Sequence, residues 1–432
     1  MIEQYSWGRI RASKPDHVDF PSCGYSFKQR DLSYLANGNL RSYGDEAYND
    51  NGVILNTLCL DHFIHFDRAN GVLELESGVL LEQVLNLIVP CGWFLPVTPG
   101  TKYITVGGAI ANDVHGKNHH KVGSFGCFVE SFTILRSDGV IYECSRESNS
   151  HYFYATIGGM GLIGIILRVK LNLLAINNHA IVTKAYKFKN LEHYMELNAE
   201  LEGQSTYTVA WIDCLASGRS LGRGIYYTGE HAGYLEKLPP ITSNKRSFPF
   251  TPAKSLINGL TLKAFNTLYY HRPLTKLSQI VHYDPFFYPL DKLLNWNRIY
   301  GSNGFYQYQC VISGDTQAEV MREILTRISK SNNGSFLAVL KTFGSIASGG
   351  LMSFSRSGIA LALDFANKGR ITADLFRELD NIVLAAGGAI YAAKDAMQSK
   401  EVFEAGYPRL NEFIKYVDPL FSSNLWRRLY GN

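Results

Sequence analysis

Apolar and polar residues alternate along much of the first 175 positions. VILNT, GVLELESGV and FTILRSDGVIYEC each read as a short strand run, and the last carries a Ser-Asp-Gly turn at 137–139 that predicts a hairpin. IILRVKLNL alternates from Ile166 to Leu173, the period of a half-buried strand. LLEQVLNLIVPCG has helical spacing instead and ends at a proline. Gly, Asn and Asp turns separate these runs without a regular βαβ array, so residues 1–179 predict a mixed α+β unit.

Beyond residue 180 the pattern changes. YTVAWIDCLA, LGRGIYYTGE, GFYQYQCVIS, GSFLAVLKTFG and GIALALDFA are long enough to align in one antiparallel sheet. AEVMREILTRISKS and TADLFRELDNIVLAAGG are amphipathic helices, the second closing on a glycine pair. Strands with helices at one face predict a second α+β domain over residues 180–388. Residues 240–304 are rich in Pro, Asn, Ser and aromatics. ITSNKRSFPFTPAKS, at 241–255, predicts a mobile lid, because long irregular segments inside compact domains are usually functional or disordered.

Two glycine clusters interrupt the first unit. TPGTKYITVGGAIANDVHGKNHH, at 98–120, sets Pro99, Gly100, Gly107, Gly108 and Gly116 around a short apolar run. Glycine lets a main chain approach a bulky group closely, and exposed N–H groups suit a dinucleotide pyrophosphate. GGMGLIG, at 158–164, matches G-x-G-x-x-G through Gly159, Gly161 and Gly164. A Rossmann site needs a strand before that fingerprint and a helix after it. Here the order is reversed: SNSHYFYATI precedes it and a strand follows. Two glycine loops, each beside a strand, point to a different dinucleotide fold.

Composition narrows the class. Hydrophobic residues make up 46% and charged residues 19% of 432, as in globular proteins of two or three domains. A net charge of +4 with a pI near 8.5 argues against nucleic acid, which calls for clustered basic residues. The seven cysteines form no C-x-x-C pair and predict buried free thiols in a reducing compartment. The opening MIEQYSWGRIRASK lacks an apolar core of signal-peptide length, and no run reaches about 18 apolar residues. The expectation is a soluble, cytoplasmic protein, with room for peripheral association at the inner membrane. His115 and His119 have zinc-pair spacing, but Gly116 and Asn118 oppose the helix such a pair needs, so no metal is expected.

Several longer motifs occur in a telling order: PGTKYITVGGAIANDVHGKNHHKVGSFG, GGMGLIGII, FFYPLDKLLNWNRIYG, YQYQ, LKTFG, IYAAKD and YPRLNEF…VDPLFSSNLWRRL. Together, from Ser6-Trp7-Gly8-Arg9 to Arg427-Arg428, the chain resembles the FAD-dependent decaprenylphosphoryl-β-D-ribose 2′-oxidase family, of the vanillyl-alcohol-oxidase type of flavoproteins. The resemblance implies a PCMH-type FAD-binding domain over 1–179, with a C-terminal segment, 389–432, returning to it. The substrate domain, 180–388, is inserted between them. It implies non-covalent FAD and oxidation of the 2′-hydroxyl of a polyprenyl-phosphate-linked pentofuranose to a ketone. A partner NAD(P)-dependent reductase then completes the epimerisation, in cell-envelope polysaccharide synthesis.

Residue by residue, Arg41, Ser42, Tyr43 and Gly44, followed by Asp45, match the family's first FAD loop. Pro99, Gly100, Thr101, Thr105, Gly107 and Gly108 match the pyrophosphate loop. Asn112, His115, Gly116 and Lys117 match the stretch beside the flavin ring. Gly161, Gly164 and Ile166 match the adenine end, and Tyr391 and Lys394 the C-terminal pair that returns to the flavin. Trp211, Gln307, Gln309, Lys341 and Phe343, with Lys394, match the substrate pocket. Three departures stand out. Leu40 occupies a position that is usually Gly, the 7–41 region is shorter than in mycobacterial relatives, and Ala362 stands where those relatives carry an inhibitor-reactive cysteine.

The chemistry of these residues fits the resemblance. No side chain accepts hydride, so a cofactor must, while the protein positions and polarises. Lys394 is the candidate fixed cation beside the flavin, against the plainer reading of a surface lysine next to Asp395. His115 is expected against the ring, and Lys394, His115 and solvent stay open as the acceptor of the hydroxyl proton. Gln307 and Gln309 alternate on a strand, so both face one side and offer amides to sugar hydroxyls. Lys341 suits a phosphate. The aromatics from Phe265 to Tyr308 either cover a lipid tail or pack the sheet. An FAD-dependent oxidase of free sugars, alditols or aldonolactones is the alternative enzyme. A cofactor-retaining scaffold without turnover is the alternative outside enzymes.

Overall fold

The computed structural model describes residues 4–28, 30–234, 239, 245–275 and 277–431. Its N-terminal part holds a five-stranded antiparallel sheet in the order Phe63–Asp67, Val72–Glu76, Ile165–Asn172, Val129–Leu135 and Ile141–Ser145. Alternation explains the central strand: Arg168, Lys170 and Asn172 face outward, while Leu167, Val169 and Leu171 are buried. The hairpin expected around 137–139 is the pair Val129–Leu135 with Ile141–Ser145. The Leu81–Ile88 helix buries Leu81, Val84, Leu85 and Ile88, one stripe at i, i+3, i+4 and i+7. Each such fully buried side chain contributes about 1.5–3 kcal/mol through removal from water. Beside this sheet lie three short strands, His17–Asp19, Val53–Asn56 and Tyr34–Asn37, paired in parallel with Val53–Asn56 at the centre. The sequence pattern gave no sign of that parallel pairing, because runs of three or four residues are too short to show a period.

The second sheet has eight antiparallel strands. Their order is Gln279–His282, Ala180–Phe188, Gly224–His231, Tyr207–Ile212, Ala338–Phe343, Gly358–Ala366, Phe305–Ile312 and Ala389–Ile390. All five strand runs expected after residue 180 lie in it. The helices Leu191–Leu201, Gln317–Ser331 and Arg370–Ala385 pack on one face. Gln317–Ser331 buries Met321, Ile324, Leu325 and Ile328, and ends at Asn332 in a left-handed conformation (φ 52°). Tyr308 and Cys310 point into that helix-covered core. Their neighbours Gln307 and Gln309 face the other way, so a two-residue period divides core from cavity.

The chain leaves this sheet after Ile390 and returns to the N-terminal part. Tyr34 N donates to Leu420 O (2.7 Å), and Asn424 Nδ2 to Asp50 Oδ2 (2.7 Å). Arg428 is paired with both Asp45 (2.9 Å) and Asp395 (2.8 Å). A Cβ built on Gly44 would lie 1.4 Å from Asp395 O, so the first loop and the C-terminal segment pack backbone to backbone there.

Of 241–255, residues 241–244 lie outside the described residues. The rest is joined to its surroundings by the parallel pair Arg246–Ser247 with Leu293–Leu294 and by Ser302 N donating to Pro252 O (3.0 Å). The free cysteines are also not uniformly buried. Cys144, Cys214 and Cys310 are, whereas Cys23 and Cys59 are exposed and Cys91 and Cys127 lie between. Among the described residues, no helix is long and apolar enough to cross a membrane.

Candidate active-site cavity

A cavity of about 1110 Å³ lies between the two sheets. It is larger than the ~300–1,000 Å³ of most small-molecule sites, which leaves room for a cofactor and a second ligand. One wall comes from the loops around 36–47 and 99–117. The opposite wall is the uncovered face of the eight-stranded sheet, and Phe265, Tyr269, Phe286, Leu290 and Trp296 close the side.

Most of the expected residues meet here. Arg41, Ser42, Tyr43, Pro99, Gly100, Thr101, Thr105, Gly108, Asn112, His115, Lys117, Gly161, Tyr391 and Lys394 line the cavity. Trp211, Gln307, Gln309 and Lys341 line it from the sheet, as does Ala362. Six do not, each for a physical reason. Gly44 is pressed on Asp395, and a Cβ on Gly107 would meet Ser77 at 3.0 Å. One on Gly116 would meet Asn118 Oδ1 at 2.7 Å, and one on Gly164 (φ 149°) would meet Leu135 O at 2.7 Å. These glycines let chain segments pack on each other. Ile166 is buried in the core, its carbonyl accepting from Ser77 Oγ. Phe343 is buried behind His115, with ring centroids 4.7 Å apart, and packs on His119 at 4.5 Å.

Leu40 lines the cavity in a left-handed conformation, with φ 49°. The backbone thus takes the shape that glycine would favour there, and leucine adopts it at a cost of about 1–2 kcal/mol.

The polar groups are arranged in pairs. Gln307 Nε2 donates to Asp364 Oδ1 at 2.6 Å, and Gln309 Nε2 lies 2.8 Å from His115 Nε2. A carboxylate only accepts, so Asp364 takes Gln307's N–H. Burial pushes Asp364 up to about 7, against the Gln307 hydrogen bond and the charge of Lys394. Burial pushes Glu46 up to about 7 as well. His115 is driven well below its ordinary pKa by burial, then by Lys341, His119 and Lys394, so its ring is neutral.

Three lysines face the cavity, each half-buried, its open part turned to the cavity and protein closing round the rest. Burial holds Lys117 down to about 7 and both Lys341 and Lys394 to about 8. Lys394 Nζ sits 3.9 Å from the centre of the Tyr43 ring, and Lys117 Nζ donates to Phe287 O at 3.1 Å. Among the described residues, none of the three is within ion-pair distance of a carboxylate. An anionic ligand in the cavity would favour their charged forms.

The walls fit a flavin dinucleotide. Arg41 Nε, Asn112 Oδ1 and His115 Nδ1 are buried polar atoms on this wall without a hydrogen-bond partner, and Glu46 and Tyr103 lie on the same wall. Buried polar atoms are seldom left unbonded, and this mixed set of donors and acceptors suits a ring edge carrying both. A Cβ on Gly100 would have nothing within 4 Å, so that turn offers open main chain to the cavity. Thr105 caps the Val106–Ala111 helix by accepting from Gly108 N (3.1 Å).

Sequence reasoning missed Glu46 and Asp364. Asp364 had a signal, a lone acid inside the apolar strand GIALALDFA. Glu46 had only its place four residues after Ser42, whose hydroxyl donates to it. In the aromatic stretch, Phe265, Tyr269, Phe286 and Phe287 line the cavity, while Tyr288, Tyr300 and Phe305 are packed in the core.

Residues 26–145 match the family model described as an FAD binding domain. The chain is 34% identical over 411 residues to decaprenylphosphoryl-beta-D-ribose oxidase of Mycolicibacterium smegmatis, covering 91% of this chain and 88% of that protein. It is 31% identical over 374 residues to an uncharacterized Streptomyces coelicolor protein, covering 81% of this chain and all of the other. Human Delta(24)-sterol reductase is 28% identical over 111 residues, 26% of this chain and 22% of that protein.

Proposed function

Because this chain belongs to the decaprenylphosphoryl-β-D-ribose oxidase family of FAD-dependent oxidoreductases, we propose that it oxidises a secondary hydroxyl, the 2′-OH, of a polyprenyl-phosphate-linked pentofuranose to a ketone. The observation that carries this reading is the polarity of the cavity. Lys117, Lys341 and Lys394, without carboxylate partners, lie in the same space as an aromatic and aliphatic side built from Phe265, Tyr269 and Leu290. Cations at one part and apolar surface at another suit a phosphate joined to a sugar and a lipid.

FAD, when bound, supplies the hydride acceptor. Arg41, the 99–101 turn, Thr105, Gly108 and Asn112 would hold it, with Gly161 and Tyr391 at its edges. Lys394 contributes a fixed positive charge in a site that excludes water, where such a charge acts most strongly. Its contact with Tyr43 and the charges of Glu46 and Asp364 keep the ammonium on the cavity wall. Gln307 turns its amide oxygen to the sugar, held by Asp364. Lys341 meets the phosphate. Neutral His115, its Nε2 accepting from Gln309, keeps the ring wall rigid. The ketone then passes to a partner NAD(P)-dependent reductase, completing an epimerisation in cell-envelope polysaccharide synthesis.

Anaerobic mixing of the holoenzyme with a ribosyl phospholipid, followed by flavin absorbance, tests this. Bleaching with the phospholipid supports the reading. Bleaching only with free sugars, alditols or aldonolactones replaces it with the alternative oxidase.

A further inference from the structure

The Gly259–His271 helix presents apolar side chains outward as well as inward. Leu262 and Asn266 are buried, whereas Leu260 and Leu268, two turns apart, are 80% and 75% exposed with exposed Ala264 between them. Single exposed leucines are ordinary, but contiguous apolar surface marks an interaction site. Among the described residues, nine of the twenty-two exposed large apolar side chains fall within residues 250–294. Phe265, Leu293 and Leu294 belong to that group and also line the active-site cavity, so the exposed apolar surface runs into its mouth.

Charge follows the same segment. Residues 245–298 contain eight Lys and Arg against two Asp, a net +6, while the whole chain is only +4. Both acids are turned inward: Asp284 is paired with Lys102, and Asp291 is buried, accepting from Lys102 N at 3.0 Å. Lys263, on the same helix between Leu260 and Leu268, is exposed, and so is Lys254, six residues before Leu260. Apolar side chains flanked by cations, with no exposed acid among the described residues of the segment, complement an anionic bilayer surface. A protein partner would need no such excess of one charge.

We propose that this face, centred on Leu260 and Leu268, docks on the surface of an anionic membrane and opens the cavity toward the lipid phase. The inference deepens the proposed function, since it rests on a lipid-linked substrate. Leu260 and Leu268 enter the headgroup and acyl boundary, Lys254 and Lys263 contact headgroup phosphates, and the substrate's lipid chain passes from the bilayer along Phe265 and Leu293–Leu294.

The test is co-sedimentation of the FAD-loaded protein with vesicles of phosphatidylcholine alone and of phosphatidylcholine with phosphatidylglycerol. Binding should require the anionic lipid and weaken at high salt. L260D/L268D and K254E/K263E should each lower the vesicle partition coefficient roughly tenfold or more. Both variants should keep wild-type flavin absorbance and wild-type flavin reduction by a short-chain, water-soluble glycosyl phosphate. Absence of vesicle binding by the wild type overturns the proposal, as does binding that both variants retain. A shift of L260D/L268D from dimer to monomer in size exclusion, with no vesicle binding by either protein, also overturns it and assigns the face to a second copy. Because sedimentation needs no turnover, failure of docking is separable from failure of the proposed oxidation, which the soluble substrate reads alone.

Discussion

Gln309 Nε2 lies 2.8 Å from His115 Nε2, in a buried contact that ties the eight-stranded sheet to the 99–117 loop. The amide donates, so the imidazole accepts at Nε2 and is neutral, in keeping with the strong downward push of burial on its pKa. Gln309→Leu keeps the volume but leaves Nε2 buried without a donor. The expected result is a loss of about 1–3 kcal/mol in unfolding free energy. Urea unfolding of the holoprotein measures it, and a variant as stable as wild type would show that this contact does not join the two parts.

Lys394 is placed to act on the reaction more than on the fold. It has no ion-pair partner among the described residues, and its nearest aromatic contact is Tyr43. Lys394→Met retains the aliphatic stem and removes the charge. If it behaves like loss of another preorganised stabiliser, kcat falls about 10²–10³-fold. FAD stays bound, as read by flavin absorbance after gel filtration. Undiminished kcat would move the role elsewhere, and loss of turnover with FAD retained argues against a non-catalytic scaffold.

The half-buried cavity lysines set the pH response. Lys341 and Lys394 are each held to about 8, and a lysine is charged below its pKa and neutral above it. Affinity for the substrate phosphate, which Lys341 meets, is therefore full below that range and lost as pH rises through about 8. Since kcat/KM reports groups of the free enzyme, its profile should fall on the alkaline side near pH 8. Lys341→Met should raise KM roughly tenfold to a hundredfold with a smaller change in kcat, the signature of lost uniform binding worth about 1.5–3 kcal/mol. A flat profile between pH 7 and 9.5 would remove Lys341 from phosphate recognition.

Gly44 gives a prediction about architecture. Its Cβ position lies 1.4 Å from Asp395 O, a backbone atom that a flexible side chain cannot move aside. Gly44→Ala must separate the first loop from the C-terminal segment and strain the Arg428 pairs with Asp45 and Asp395. The expected loss is about 3 kcal/mol or more. Thermal unfolding of the holoprotein checks it, and a change within experimental error would mean that the segment is not packed there.

Much of this was legible in the sequence because the signals were periodic or chemically unusual. Two-residue alternation in YQYQ put Gln307 and Gln309 on the cavity side and Tyr308 and Cys310 in the core. The glycine-rich stretch at 98–120 does line the cavity, but its glycines divide: Gly100 and Gly108 face it, while Gly107 and Gly116 serve chain packing. Sequence cannot separate those uses, since both need a missing Cβ. Glu46 and Asp364 escaped because a buried acid's role depends on partners distant along the chain, such as Gln307 for Asp364. The three-stranded parallel sheet escaped because its strands carry too few residues to show alternation.

Leu40 offers the last prediction. Its φ of 49° lies in the left-handed region, which costs a leucine about 1–2 kcal/mol. Leu40→Gly removes that strain but gives the unfolded chain more freedom, which returns about 0.4–1 kcal/mol. The side chain is only half-buried, so little apolar burial is lost. The balance favours glycine by up to about 1 kcal/mol, and the holoprotein should melt about 1–3 °C higher, as expected for a chain of this size. Leu40→Val, with its branch at Cβ, should melt lower than wild type, because a β-branched residue tolerates positive φ least. If glycine lowers the melting temperature while valine leaves it unchanged, the backbone at residue 40 is not in the left-handed region, and the side chain is what holds the loop against the cavity.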